Sequence, residues 1–165
     1  MIDIFSKEMA IYYGKISIIK NDDTQHSGAY MLVNISGERL DQDIENYLSC
    51  LHNLWIDSPM AEKIRLTVGS ALSKQEEPEE MTVKGLNKAT YQPQQITVSS
   101  KEISHSLDRS LVYIEKEIEQ TLNSVHSKIH DDIVKNGICL TGSGASLRGL
   151  AERFGAKTHI HCYVP

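Results

Sequence analysis

The sequence predicts an α/β protein, with strands covered by helices. Three observations carry that expectation. Short runs rich in Ile, Val and Tyr fill the first third of the chain, two later segments repeat apolar residues at helical spacing, and near the end a strand leads through a glycine-rich turn into a helix. Strand, tight turn and helix in succession are what layered α/β packing is built from.

Residues 2–5, 10–13, 16–19 and 30–35 read as strands, separated by Gly14 or by the polar run 21–28, and an antiparallel meander joins them most economically. After Gly37 the period changes. Leu40, Ile44, Leu48, Leu51 and Trp55 recur at helical spacing, with Asp41 and Asp43 in the first turn, where the helix dipole favours anions. A helix over 38–55 lying on the sheet follows. A second helix starts at Ser58-Pro59, where the serine oxygen caps free amides and proline at the first position forfeits no hydrogen bond; it runs to about Ala71 or Leu72. The acidic run 75–80 around Pro78 reads as a solvated loop rather than a cation site, because its like charges repel. Residues 81–83 and 95–98 form a small hairpin joined through 85–93 and set apart from the first sheet.

The strongest helix signal comes next. Ser99 and Glu102 have capping-box spacing and Val98 with Ile103 has staple spacing, so polar and apolar contacts close the same helix end. Ile103, Leu107, Leu111, Ile114, Ile118, Leu122 and Val125 then form one apolar stripe, read as packing onto a sheet of the same chain rather than as a coiled-coil seam. The last segment reads as a strand over 138–140, the glycine-rich turn 141–144, a short helix near 147–154 and a terminal strand over 159–164.

Composition bounds the function. The chain has 165 residues, a formal net charge of -5, 40% apolar and 24% charged residues, which suits one large or two small folded domains and excludes wholesale disorder. A core of this size folds without disulfides or a structural metal. No apolar stretch is long enough to cross a bilayer and the N-terminus lacks a basic region followed by an apolar core, so a cytoplasmic location is expected. Cys50, Cys139 and Cys162 are widely spaced and read as buried small hydrophobes. A pI near 5.8 without a basic stripe gives nucleic-acid binding little support.

The stretch Leu140-Thr-Gly-Ser-Gly-Ala-Ser-Leu-Arg148-Gly-Leu150 is the most informative. Small residues between a strand and a helix let backbone amides approach a ligand, which suggests a nucleotide, although the same glycines serve any tight turn. It matches neither G-x-x-x-x-G-K-[ST] nor a complete dinucleotide-binding fingerprint. His126 and His130 beside Asp131 and Asp132, and His159, His161 and Cys162, suggest surface histidines rather than a closed zinc ligand set, and no metal site is expected. No Ser, His and Asp arrangement stands out as catalytic.

Taken with Ala61-Glu62-Lys63-Ile64-Arg65-Leu66-Thr67-Val68-Gly69-Ser70-Ala71, the turn resembles the MreB family of bacterial actins, the rod shape-determining proteins. Members typically carry A-E-x-I-K-x-x-x-G-S-A on one helix and L-T-G-G-G-A-x-L-R-G-L near the C-terminus. Gly37-Glu-Arg-Leu-Asp-Gln-Asp-Ile44 is similar to the family's G-G-D-x-F-D-x-x-I, and the acidic loop, hairpin and long helix arrive in family order. The resemblance covers nearly the whole chain but only the second half of a family member. Residues 2–9 fall where the family has V-D-I-G-G-G-T-T, the second phosphate-binding loop. Asp3 is retained; the glycines are not. Phe5 and Lys7 obstruct the approach of backbone to phosphate there, although Lys7 can reach a phosphate as a point charge.

The resemblance implies an actin-like (ribonuclease H-like) mixed sheet with flanking helices over 38–55 and 101–126. Residues 1–57 and 99–165 then form a larger subdomain (IIA), and 58–98 a small inserted α+β subdomain (IIB). It implies ATP or ADP with magnesium, held weakly or no longer held. Glu62, Lys63, Ile64 and Arg65 line the ribose and adenine side, Gly142, Ser143, Gly144 and Ala145 back the adenine, and Asp3 lies toward the phosphates. It also implies a cell-shape module acting through contacts with filament subunits, with itself or with a RodZ-like adaptor. Without an opposing half to exclude water and complete the phosphate cradle, hydrolysis by this chain alone is not expected. The alternative is one half of an actin-superfamily ATPase completed by a separate chain, and a truncated product without a role of its own is a third reading.

Overall fold

The computed structural model describes residues 16–17, 37–74 and 77–165. The strands expected over 2–5, 10–13 and 30–35, together with Asp3, Phe5 and Lys7, lie outside the described residues. In chain order the elements are strand β1 (Ile16–Ser17), helix α1 (Gly37–Leu51), strand β2 (Leu54–Trp55), helix α2 (Ser58–Thr67), strands β3 (Glu80–Asn87) and β4 (Pro93–Ser99), helices α3 (Ser100–Ser124) and α4 (Ser127–Asn136), strand β5 (Ile138–Leu140), a 3-10 turn (Ser143–Ser146), helix α5 (Leu150–Thr158) and strand β6 (Cys162–Tyr163). β5 pairs antiparallel with β1 and parallel with β6, so this sheet is mixed. The second sheet is antiparallel, with β3 between β2 and β4.

The core forms where the helical stripes meet. Leu40, Ile44 and Leu48 of α1 and Ile103, Leu107, Leu111, Ile114, Ile118 and Leu122 of α3 are all buried, joined by Phe154 of α5 and by Ile138 and Leu140 of β5. Among the described residues α3 packs chiefly on α1, with further contacts to α5 and β4; most of the sheet expected beneath its stripe, over 2–5, 10–13 and 30–35, lies outside them. Asp41 and Asp43 lie beyond the first turn of α1 and link helices instead of offsetting its dipole: Asp43 accepts a hydrogen bond from Ser110 of α3.

Several boundaries differ from the sequence reading, each for a local reason. α1 stops at Leu51, because Asn53 takes a left-handed backbone (φ 49°) and turns the chain into β2, where Leu54 and Trp55 pair with Asn87 and Leu86. Leu51 and Trp55 are consequently exposed rather than part of the buried stripe. The cap of α2 is Asp57, whose Oδ1 accepts from the Met60 amide at 3.1 Å, so Pro59 sits at the second helical position. α2 ends at Thr67, since Ser70 bridges in parallel to Arg148 and the Ala71 amide donates to the Arg148 carbonyl at 2.8 Å. The hairpin ladder extends from Glu80 opposite Ser99 to Leu86 opposite Pro93, placing Gly85 inside a strand. A Cβ there would lie 2.2 Å from the Trp55 carbonyl oxygen; the glycine serves close approach of β2, not a turn.

At the start of α3 the Ser99 hydroxyl accepts from the Glu102 amide at 3.3 Å, and Val98 and Ile103 are both fully buried. The Glu102 carboxylate engages His52 Nε2 at 2.5 Å. Burial, then the nearby Glu102 charge, raises the Tyr47 phenol above its ordinary range. Helix α4 was not foreseen from the sequence. Its closing signal is Gly137, left-handed at φ 85°, whose amide donates to the Ile133 carbonyl. α5 begins at Leu150 rather than near 147, behind left-handed Gly149, and left-handed His159 ends it, so the last strand contracts to β6.

Arg153 of α5 staples three segments. Its Nε donates to Glu115 at 2.5 Å, Nη2 to Asp108 at 2.8 Å and Nη1 to the Ala71 carbonyl at 3.0 Å. Burial disfavours its charge, but the hydrogen bonds to Glu115 and Asp108 outweigh that cost and raise its pKa. Cys139 and Cys162 are buried as expected, whereas Cys50 is exposed, near the end of α1 on its solvent side.

Leu107→Ala, at a fully buried position, is expected to lower stability by about 2–5 kcal/mol in urea unfolding, because it removes packing and leaves a cavity. Burial raises the Cys139 and Cys162 thiols and the Tyr163 phenol, only partly offset at the thiols by hydrogen bonds to Tyr163 and Thr158. The native state therefore keeps protons that the unfolded chain releases, so stability should fall as pH rises through and above the ordinary thiol range. Cys139→Ala with Cys162→Ala should flatten that fall in urea titrations, and a thiol reagent at neutral pH should modify Cys50 well before the other two.

Candidate functional site

Helix geometry sorts the tetrapeptide 62–65. Successive side chains on a helix point about 100° apart, so four adjacent residues cannot share one ligand-facing side. Ala61, Ile64 and Arg65 turn inward, while Glu62 and Lys63 are exposed. Ile64 is fully buried in the core and Arg65 is 2% exposed, so of the four expected to line the ribose and adenine side only Glu62 and Lys63 present exposed side chains.

Arg65 organises the surroundings instead. Its Nε donates to Asp41 Oδ1 at 2.6 Å and Nη2 to Asp41 Oδ2 at 3.3 Å, a two-pronged pair with α1. Nη1 reaches the other way, to the Ser143 carbonyl at 3.0 Å and the Ser146 hydroxyl at 3.2 Å. The Ser146 hydroxyl itself donates to the Ser143 carbonyl at 2.7 Å. Glu62 completes the set, 3.6 Å from Nη2. The turn is also held from α1, where the Gly37 amide donates to the Ser143 hydroxyl at 3.2 Å.

The structure thus brings α2 and the glycine-rich turn together. Gly142 (φ 96°) and Gly144 are half-buried, Ser143 is exposed and Ala145 is buried. Gly142 adopts a conformation that side chains disfavour, and it releases the chain from β5 into the 3-10 turn. Chemically, the cluster offers small turn residues joined through Arg65 to the exposed Glu62, suited to a ligand with a flat body and a hydroxylated end. Among the described residues no three His, Cys, Asp or Glu side chains gather to hold a metal ion, and no helix is long and apolar enough to cross a membrane. A separate open groove of about 550 Å³ lies between α5 and β6, lined by Glu152, Gly155, His159 and His161 among others.

Three contributors were missed from sequence: Asp41 as the counter-charge, Gly37 as a donor, and Ser146 as a bridge. One signal was present. Asp41 and Arg65 each interrupt the apolar face of a helix, and charges on two consecutive buried faces point to a buried pair.

A family model described as MreB/Mbl protein matches residues 14–165. The cell shape-determining protein MreB of Escherichia coli (strain K12) is 35% identical over 132 residues, covering 80% of this chain and 38% of that protein. Its counterpart Mbl of Bacillus subtilis (strain 168) is 30% identical over 132 residues, covering 80% and 39%. The chain thus spans less than half the length of the curated relatives it matches. Among solved structures, MreB5 of Spiroplasma citri bound to ADP superposes with a TM-score of 0.77 at 24% identity, covering 84% of this chain and 43% of that one. A MamK double helical filament gives 0.68 at 15% identity, covering 96% and 50%. At these identities the likeness shows the fold, which is actin-like.

The contact between Gly37 and Ser143 is testable by a double-mutant cycle. A Cβ on Gly37 would lie 2.6 Å from the Ser143 hydroxyl oxygen and 3.0 Å from its Cβ. Gly37→Ala is expected to cost about 1–3 kcal/mol in chemical unfolding. Combining it with Ser143→Gly, which deletes the two side-chain atoms and leaves only the Ser143 backbone carbon at 3.1 Å, should recover part of that loss.

Proposed function

This chain belongs to the MreB/Mbl family of cell-shape cytoskeletal proteins, and on that premise we propose that it works as a contact module in the cytoplasm. It engages filament subunits of its own kind or copies of itself, and a RodZ-like adaptor is a further partner. It holds ADP or ATP with magnesium against the glycine-rich turn without hydrolysing ATP on its own.

The observation that carries the reading is the convergence on Arg65, which ties the turn to α2, the helix on which Glu62 and Lys63 are exposed. The residues present fit a nucleotide. Gly142 and Gly144 leave room for a flat base, and Lys63 supplies a positive charge that a ribose hydroxyl or phosphate oxygen can use. The solved structures of Spiroplasma citri MreB5 bound to ADP and to AMPPNP support nucleotide binding as a property to test in this chain. Against turnover stands the sequence of the phosphate-side segment, where Phe5 and Lys7 replace residues that need to be small. Binding without precise placement of the reacting phosphate leaves the barrier to hydrolysis high.

The proposed organisation treats 58–98 as an inserted unit (IIB) on a base made of 1–57 and 99–165 (IIA). The hairpin supports a contact role: Trp55 and Leu86 are exposed on its sheet and Tyr91 on the β3–β4 loop, and the Trp55 and Tyr91 rings meet edge to face at 5.5 Å.

Calorimetry with ADP and magnesium, a phosphate-release assay and co-sedimentation with polymerised MreB test these claims together. Saturable ADP binding, release no faster than buffer, and pelleting only in the presence of filaments are expected. Failure to pellet at micromolar concentrations overturns the contact role, and sustained phosphate release by the purified chain establishes the ATPase alternative instead.

A further inference from the structure

We infer that Asp41 and Arg65 are positioning residues which set the shape of the glycine-rich turn from behind, without touching the ligand. The inference deepens the nucleotide reading above only in its binding arm; the positioning itself stands on the contacts alone.

The geometry is specific to a guanidinium. Its Nε and Nη2 edge is occupied by both oxygens of Asp41, while Nη1 points to the opposite side, at Ser143 and Ser146. A lysine ammonium is a compact charge on a flexible stem and cannot present a fork to the carboxylate and a separate donor to the turn. The side chain is 1% exposed, so the pair is not screened away by salt and neither partner can turn to water if the other is lost.

The turn's backbone bonds run from Ala145 to Gly142 and from Leu147 to Gly144, both within the turn, so they fix its curl but not its place. Arg65 on the Ser143 carbonyl and the Gly37 amide on the Ser143 hydroxyl tie its first residues to the helices, while Arg148, beyond the turn, is tied to Ser70 and Ala71. Both donors are set by α1, one directly and one through Asp41. Moving or neutralising Asp41 therefore changes the turn, although the carboxylate has no contact with it.

A purely structural ion pair would weaken the whole fold evenly, whereas a positioning pair loosens one segment. Hydrogen exchange on the ligand-free full chain separates these. Arg65→Lys and Asp41→Asn are compared with Ser146→Ala, which removes one partner of Nη1 and leaves the ion pair, and with Ile118→Val, a core change remote in sequence from the turn. The Ala145 and Leu147 amides are expected to exchange about tenfold faster in Arg65→Lys and Asp41→Asn, beyond any change at α3 amides, with a smaller effect in Ser146→Ala and none specific to the turn in Ile118→Val. Calorimetry with ADP and magnesium should show affinity falling by a similar factor in the first two variants and unchanged in Ile118→Val. Uniform acceleration across all amides, or a turn as protected as in the wild type, overturns the inference. If Arg65→Lys fails to fold, Asp41→Asn and Ser146→Ala decide it by the same readout. If the wild type binds no ADP, the nucleotide reading falls while the exchange result still decides positioning.

Discussion

The buried pair of Asp41 and Arg65 is the constraint on which the rest of the structure depends. A guanidinium withdrawn from water survives only if its charge and its N–H groups are met, and here a carboxylate from α1, a carbonyl and a hydroxyl from the turn meet them. Removing one partner leaves the other buried and unmet, a cost that falls where α1, α2 and the turn converge. The geometry that satisfies Arg65 therefore also fixes how α1 and α2 cross and where a turn 78 residues further along the chain must sit. One requirement of solvation thus sets both a packing angle and the back wall of the candidate site.

Two other arginines extend the same solution. The segment after α2 carries carbonyls at Gly69 and Ala71 that are met by Arg148 Nε at 3.2 Å and Arg153 Nη1 at 3.0 Å. Arg153 reaches on to Asp108 and Glu115 of α3, and Arg148 to Glu79 near the start of the hairpin at 2.9 Å. The junction between the hairpin and the helical base is held by planar, multi-donor side chains as well as by one isolated bridge. On the far side of this junction Trp55 and Leu86 of the sheet and Tyr91 of the β3–β4 loop are exposed.

Much of the fold was legible because apolar period and caps are local properties. The stripe of α3, the Ser99 cap and the strand before the turn need no knowledge of distant residues, and all three are present. What was misread depended on tertiary partners. Trp55 continues the spacing of α1, yet left-handed Asn53 and pairing with Leu86 take it into a strand. Gly85 reads as a turn residue, but its place in β3 is dictated by the carbonyl of Trp55 passing close by. Ser58 has capping chemistry, and Asp57, one residue earlier, performs it. In the candidate site, the motif names α2 and the turn, which Arg65 joins, and helical rotation buries Ile64 and Arg65 while it exposes Glu62 and Lys63. Asp41 escaped notice because a counter-charge on another helix leaves no motif in either segment.

The central claim is that the exposed face of α2 and the turn it braces form one ligand surface. Amide chemical shifts of the full chain followed during titration with ADP and magnesium measure this most directly. The account predicts saturable changes concentrated at Glu62, Lys63 and Gly142 to Ala145, with α4 and the groove between α5 and β6 unmoved. Changes centred on that groove, or none at saturating nucleotide, would contradict it.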